Sequence, residues 1–318
     1  MRVAVVVTTY NRAEYLPQLI ACLDAQTLPR DEFEVIIVDN GSIDDTPALN
    51  LTALRLDTNR GPGGGRNAGA ALVTAPIIAI TDDDCLPSRV WLERLLAAFD
   101  DPDVVVAQGR VEPDPEALDA MGPFDHTISV HGPTPFFETC NVAYRRDAFE
   151  RVGGFDEHDP LLHPKSGRAF GEDACLGAAV LPDGGRHAFV EDALVIHRCV
   201  PRTFGQWLAD QRQLRLFPGL TRRTPLLKKI FVGGVFLNRT TAYFDLAVLG
   251  VVASIAFRLP EPILLALPWI VRRGRMTRWF AGNNLARGAR IFAKYAVSDA
   301  VTFLSLLQGS LRYGRLLL

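Results

Sequence analysis

Pro76-Ile77-Ile78-Ala79-Ile80-Thr81-Asp82-Asp83-Asp84 decides how the rest of the chain is read. A short run rich in Ile has the pattern of a strand buried on both faces. It ends in three consecutive carboxylates. Extended backbone places alternate side chains on one face, so the spacing predicts Asp82 and Asp84 on one side and Asp83 on the other. Carboxylates crowded at the end of a buried strand repel one another unless a cation lies between them. A hard divalent ion with oxygen ligands, Mg²⁺ or Mn²⁺, is the natural guest, and such ions keep substrate phosphates as further ligands. A solvated acidic turn is the plainer reading of the same residues.

Upstream, Val3-Ala4-Val5-Val6-Val7 is a continuous, mostly β-branched run that predicts a central parallel strand. It leads through Thr8-Thr9-Tyr10-Asn11-Arg12 into helical spacing at Tyr15, Leu16, Leu19, Ile20 and Leu23. Phe33 to Val38 is a second strand, ending in Asp39-Asn40-Gly41-Ser42. Strand, helix, strand in this rhythm predicts a βαβ crossover and an α/β domain. Ligands of such sheets bind beyond the carboxyl ends of the strands, where Tyr10, Asp39 and Asp82 to Asp84 fall. Between them, Gly61-Pro62-Gly63-Gly64-Gly65-Arg66-Asn67-Ala68-Gly69 reads as a loop able to approach a ligand closely, the Ala-rich stretch behind it offering a helix N-terminus to phosphate. A flexible turn is the alternative; neither a Walker loop nor a Rossmann fingerprint is present. Downstream come a helix around Trp91 to Phe99, a strand at Val104 to Ala107, a Pro-rich loop from Glu112 to Pro135 and a strand-like unit over 136–146. Gly171-Glu172-Asp173 then opens a helix.

Composition sets the bounds. A chain of 318 residues, 48% hydrophobic, has room for one large domain and an appendage. Five cysteines without a Cys-x-x-Cys pair argue against a disulfide framework or a zinc module. The first residues already read as strand, with no charged and apolar leader, which predicts the cytoplasm. Residues 1–199 carry a net charge of −16 and residues 200–318 a net +14. That split predicts a boundary near Pro201, with residues 1–200 as the catalytic domain and 201–318 as a basic helical region facing an anionic partner.

Six motifs carry a resemblance: Thr8 to Arg12, Val38 to Ser42, Arg66 to Gly69, Asp82 to Asp84, Arg145-Arg146 with Gly153-Gly154-Phe155-Asp156, and Gly171 to Asp173. In this order the chain resembles family 2 glycosyltransferases of the GT-A fold, over roughly residues 1–215. The resemblance implies an α/β fold with a mostly parallel, Rossmann-like sheet and a C-terminal helical appendage. It also implies inverting, metal-dependent transfer of a sugar from a UDP- or dTDP-sugar to a hydroxyl acceptor. Carried over, Tyr10 packs on the nucleobase and Asp39 accepts from its ring N–H. Thr9, Arg12, Arg66, Asp82 and Asp83 line the nucleotide and sugar, and Asp84 binds Mn²⁺ or Mg²⁺. Asp173 is the base and Glu172 orients the acceptor. His197, after the apolar strand from Ala193 to Ile196, stands where some relatives place a metal-ligating His. Cys140 precedes Asn141 where many relatives have Gly, and the Gln-x-x-Arg-Trp signature of processive synthases is absent, which favours non-processive transfer.

The implied acceptors are a glycan, a lipid-linked sugar or a small molecule, with no nucleic acid. Two other classes fit less of the chain: a nucleotidyltransferase, which would release pyrophosphate, and a non-catalytic sugar- or lipid-binding module. In the basic region, Ala242 to Phe257 and Ile263 to Val271 both fall short of the ~20 residues of a transmembrane helix. Packing on the core, a homo-oligomer contact, docking on an anionic membrane through Arg272, Arg273, Arg275 and Arg278, and, last, a transmembrane hairpin are the readings of these stretches.

Overall fold

The computed structural model describes residues 1–163, 169–181 and 185–318. They divide into two compact units: Met1–Ala120 with Thr127–Val200, and Met121–His126 with Pro201–Leu318.

In the first unit the β-branched runs become the centre of the sheet. β1 (Val3–Thr9) is buried almost throughout. α1 (Leu16–Asp24) starts on Pro17 and buries Leu16, Leu19 and Leu23. β2 (Phe33–Asp39), the short β3 (Leu54–Arg55), α2 (Gly61–Ala70) and β4 (Ile77–Ile80) follow. β3, β2, β1 and β4 lie side by side and parallel, so their carboxyl ends share one edge. Next come β5 (Cys85–Pro87), α3 (Trp91–Ala97), β6 (Val104–Pro113), β7 (Val142–Arg145), α4 (Arg146–Arg151), α5 (Glu172–Val180) and β8 (Arg186–His197). The sheet runs β3-β2-β1-β4-β7-β6-β8-β5. β7 is antiparallel to both β4 and β6, whereas β6 and β8 are parallel. Apolar clusters cover both faces, one gathered on Leu16, Trp91 and Leu95, the other on Phe137, Phe149 and Phe155.

Two local readings change. The glycine-rich stretch is not a loop ahead of a helix but the helix α2 itself. Its glycines are explained by close packing: a Cβ on Gly65 would lie 2.1 Å from Thr8 Oγ1, and one on Gly69 2.7 Å from Val6 Cγ1. Of the segment 136–146, only Val142–Arg145 is strand; Phe137, at φ 52°, breaks any extended run before it.

The second unit is helical: α6 (Phe204–Gln213), α7 (Phe217–Arg223), α8 (Arg239–Phe257), α9 (Leu267–Ala281) and α10 (Leu285–Tyr313). Thr203 with Gln206 and Asn238 with Thr241 form capping boxes that start α6 and α8. Phe124, from the Pro-rich stretch, packs its ring on Phe204, Trp207 and Tyr295 of this unit. α8 begins three residues before the apolar run does, because Asn238 caps it there. At 19 residues and mean hydropathy 1.7 it is long and apolar enough to cross a membrane, correcting the shorter sequence estimate. The four-arginine group is also revised. Arg273 is buried in a two-pronged pair with Asp299, whose Oδ2 also accepts from Trp269 Nε1 at 2.7 Å.

Candidate active site

The carboxyl ends of β1, β2 and β4 bring three groups of residues together. At the ends of β1 and β2, two loops are stitched to each other. Asn11 N donates to Ser42 Oγ at 2.9 Å, and Ile43 N donates to Asn11 Oδ1 at 2.8 Å. Between them Asp39 is wholly buried; its Oδ1 accepts from Ser42 N at 2.8 Å and its Oδ2 faces Arg55 Nη1 at 3.2 Å. Tyr10 is 40% exposed beside them, an aromatic surface open to a ligand.

Beyond β4 the three aspartates do not alternate. Extended structure stops at Ile80, and Cys85 N closes a turn onto Asp82 O at 3.2 Å. The turn brings Asp83 and Asp84 to the same side and leaves Asp82 on the other, the reverse of the strand-based expectation. Arg12 Nη1 donates to Asp83 Oδ1 at 2.9 Å and to Asp84 Oδ2 at 2.7 Å. Thr9 Oγ1 donates to Asp83 Oδ2 at 2.7 Å. Burial works against the Arg12 charge, but the two carboxylates outweigh it and hold its pKa above the usual value. Burial pushes the Asp83 carboxyl up to about 6, with Arg12 opposing and Asp84 adding to the shift.

Asp82 turns instead to Arg66 on α2, whose Nη2 donates to Asp82 Oδ1 at 2.6 Å. Arg66 Nη1 reaches Glu172 Oε1 at 3.4 Å, which ties the strand end to the start of α5. Glu172 is buried and Asp173 half-buried there. Loss of water raises the Glu172 carboxyl to about 7, the neighbouring Asp173 adding to the effect. Asp173 is raised for the same first reason, against the pull of Arg66; Thr139 Oγ1 lies 3.4 Å from its Oδ2.

Among the described residues, Asp84, Cys85 and His197 bring a carboxylate oxygen, a sulfur and a ring nitrogen within 4.8 Å of one another. The antiparallel register of β5 and β8 causes this, since Cys85 pairs directly with His197. His197 Nδ1 donates to the Arg198 carbonyl at 2.8 Å, which in the neutral ring leaves Nε2 as the lone-pair nitrogen. It faces Asp84 Oδ1 at 3.7 Å. A ring whose second nitrogen is anchored on a backbone carbonyl is the usual support of a metal-ligating histidine. Burial raises the Cys85 thiol, which makes it a poor ligand for a hard ion, whereas carboxylate and imidazole suit Mn²⁺. The donor set therefore fits a divalent ion held by Asp84 and His197.

The sequence reading missed three contributors. Arg55, the partner of Asp39, is placed by the pairing of β3 with β2, and a two-residue strand leaves no periodic signal. Glu138 accepts from Gln108 Nε2 at 2.5 Å and Thr134 Oγ1 at 2.6 Å; burial raises its carboxyl and Asp173 adds to the shift. Cys85 was legible only as the neighbour of Asp84.

Residues 4–153 match the family Glycosyl transferase family 2. Glycosyltransferase AglE of Haloferax volcanii is 30% identical over 171 residues, covering 49% of this chain and 56% of that protein. The O-antigen chain rhamnosyltransferase RfbN of Salmonella typhimurium is 28% identical over 220 residues, 62% of this chain and 66% of that protein. The chain thus spans under two thirds of either relative. Among solved structures, the mannosyltransferase PcManGT of Pyrobaculum calidifontis, in complex with GDP-Man and Mn²⁺, superposes with a TM-score of 0.59 at 21% identity, covering 97% of this chain and 86% of that one. The match to the glycosyltransferase family 2 model thus runs from β1 through to Gly153, and the fold is the GT-A fold, shared with a mannosyltransferase structure over nearly the whole chain.

Proposed function

We propose that the first unit transfers a sugar from a nucleotide-diphosphate sugar to a hydroxyl acceptor, with inversion at the anomeric carbon and with Mn²⁺ or Mg²⁺ as cofactor. The observation that carries this reading is Arg66, which joins the carboxylates at the end of β4 to the Glu172–Asp173 pair on α5. Donor-side and acceptor-side groups thereby share one rigid element.

Tyr10 offers its ring to the base, and Asp39 accepts from a ring N–H, which suits the imide of uracil or thymine. Arg12, fixed by Asp84 and by the Thr9-anchored Asp83, and Arg66, fixed by Asp82 and Glu172, hold positive charge beside the diphosphate. Asp84 and His197 would hold the ion, which when bound stabilises the departing diphosphate as a Lewis acid. Asp173 takes the proton of the acceptor hydroxyl as it attacks, and burial raises its pKa, the direction that makes a carboxylate a stronger base. Glu172 orients that hydroxyl. One base without a second nucleophilic carboxylate corresponds to single displacement, the logic by which inverting glycosidases act. The donor class has support from the neighbour in complex with GDP-Man and Mn²⁺. A glycan, a lipid-linked sugar and a small molecule are the acceptor classes, with the reaction in the cytoplasm.

Thermal shift with UDP-, dTDP- and GDP-sugars, with and without Mn²⁺, tests the reading. The cognate donor at 100 times its dissociation constant adds about 2.7 kcal/mol of stability. The gain is expected to vanish with a chelator and in Asp84→Asn. No stabilisation by any nucleotide sugar, or release of pyrophosphate on turnover, overturns it.

A further inference from the structure

The second unit carries an apolar surface that its own fold leaves uncovered. α8 ends at Arg258, whose φ of 54° turns the chain back on itself. Two contacts fix the hairpin that follows. A Cβ on Gly250 would lie 2.4 Å from the Pro262 carbonyl oxygen, and Arg272 Nε donates to Thr240 Oγ1 at 2.6 Å. α9 therefore runs back along α8, and residues 251–261 form the far end. Ile255 and Phe257 there are 74% and 71% exposed, and more than half of the exposed large hydrophobics among the described residues lie between Leu246 and Leu285. Soluble monomers rarely leave so contiguous an apolar face open to water.

Charge identifies the occupant. From Leu246 to Leu285 the acidic side chain is Glu261, against Arg258, Arg272, Arg273, Arg275 and Arg278. Arg273 is committed to Asp299, which leaves Arg272, Arg275 and Arg278 exposed. At the base of the hairpin a groove of about 660 Å³ sets the guanidinium groups of Arg272 and Arg275 among Tyr243, Leu267, Val271 and Met276. Apolar walls with two cations suit a lipid phosphate. Trp279, 84% exposed, is the residue type that concentrates at the headgroup level. A second copy meeting this face through a two-fold axis would set positive charge against positive charge. Passage through the bilayer would drag the arginines of α9 into hydrocarbon beside α8, which is strongly unfavourable.

We propose that the α8–α9 hairpin is a monotopic membrane-binding element. Its apolar end enters the interfacial layer of an anionic bilayer by about 5–10 Å, and Arg272, Arg275 and Arg278 lie among the headgroups. The element stands on the second unit alone and does not depend on the transfer reaction.

Flotation of the full chain with vesicles of phosphatidylglycerol and phosphatidylcholine, against phosphatidylcholine alone, tests it. Wild-type protein floats with the anionic vesicles at low salt and less so as salt rises, because the attraction is screened over ~8 Å at physiological ionic strength. Replacing Arg272, Arg275 and Arg278 with Gln lowers the anionic partition coefficient about fivefold per residue, the factor equivalent to ~1 kcal/mol for each basic group at such a surface. Ile255→Glu with Phe257→Glu releases the protein from both vesicle types while its circular dichroism stays unchanged, since neither side chain is in the core. Wild type in the soluble fraction at low salt overturns the proposal, as does equal binding to neutral and anionic vesicles. A dimer broken by Phe257→Glu, with no flotation, assigns the face to a second copy instead.

Discussion

Asp173 and Glu172 stand side by side at the start of α5, and loss of water raises both carboxyls, Glu172 to about 7. A base must be unprotonated to act, so turnover is expected to fall as pH drops, with an inflection above the ordinary carboxylate range. Asp173→Asn keeps the shape but cannot take a proton. Donor affinity should survive, while kcat falls by the ~10²–10⁴ typical of general-base catalysis. Donor titration by calorimetry beside steady-state kinetics checks both halves; near-normal turnover would transfer the role to Glu172. The residue types of this pair were legible in the sequence, as was the acidic triplet. The direction of Asp83 was not, because alternation holds only while the backbone stays extended and the turn at Thr81 to Asp84 belongs to tertiary structure.

At the scale of elements, the continuous Val and Ile runs named β1, β2 and β4 correctly, since parallel strands buried on both faces need no polar alternation. α2 escaped because glycine is a poor helix former, costing up to ~1 kcal/mol per residue relative to Ala, and only its packing partners reveal why it is there. The same substitution should therefore have opposite signs in two helices. Gly65→Ala places a Cβ 2.1 Å from Thr8 Oγ1, and overpacking of this kind costs about 1–3 kcal/mol, more than the propensity gained. Gly274 in α9 has open space around it, with nothing within 4 Å of a Cβ, so Gly274→Ala should stabilise by roughly 0.5–1 kcal/mol. Urea denaturation of the two variants beside wild type measures both; a Gly65→Ala protein as stable as its parent would contradict the packing account.

For the molecule as a whole, the charge split of the sequence shows where composition changes, but not which arginines face water, since burial of Arg273 by Asp299 depends on α9 meeting α10. Asp245 is a second charge, visible in the sequence inside the apolar run from Ala242 to Phe257, whose surroundings the sequence does not reveal. Among the described residues its two carboxyl oxygens are buried without a hydrogen-bond partner, and burial lifts its pKa to about 6. A carboxyl raised on folding binds its proton more tightly in the native state, so its contribution is most favourable below the ordinary carboxylate pKa and is lost as pH rises through about 6. Asp245→Asn should raise the midpoint of unfolding at pH 7 to 8 and leave it unchanged near pH 3. Denaturation across that range decides it, and a stabilisation equal at all pH values would point to another cause.

The pairing of Cys85 with His197 also has a consequence in time. A chain grows from its N-terminus, so Asp84 is synthesised long before the strand that carries His197 can lie against β5. The two donors meet only when β8, late in the sequence of this unit, adds to the sheet. On the proposed reading, in which Asp84 and His197 hold the ion, the site would be complete only once β8 has joined the sheet, and capture of the ion would report that the unit has finished assembling.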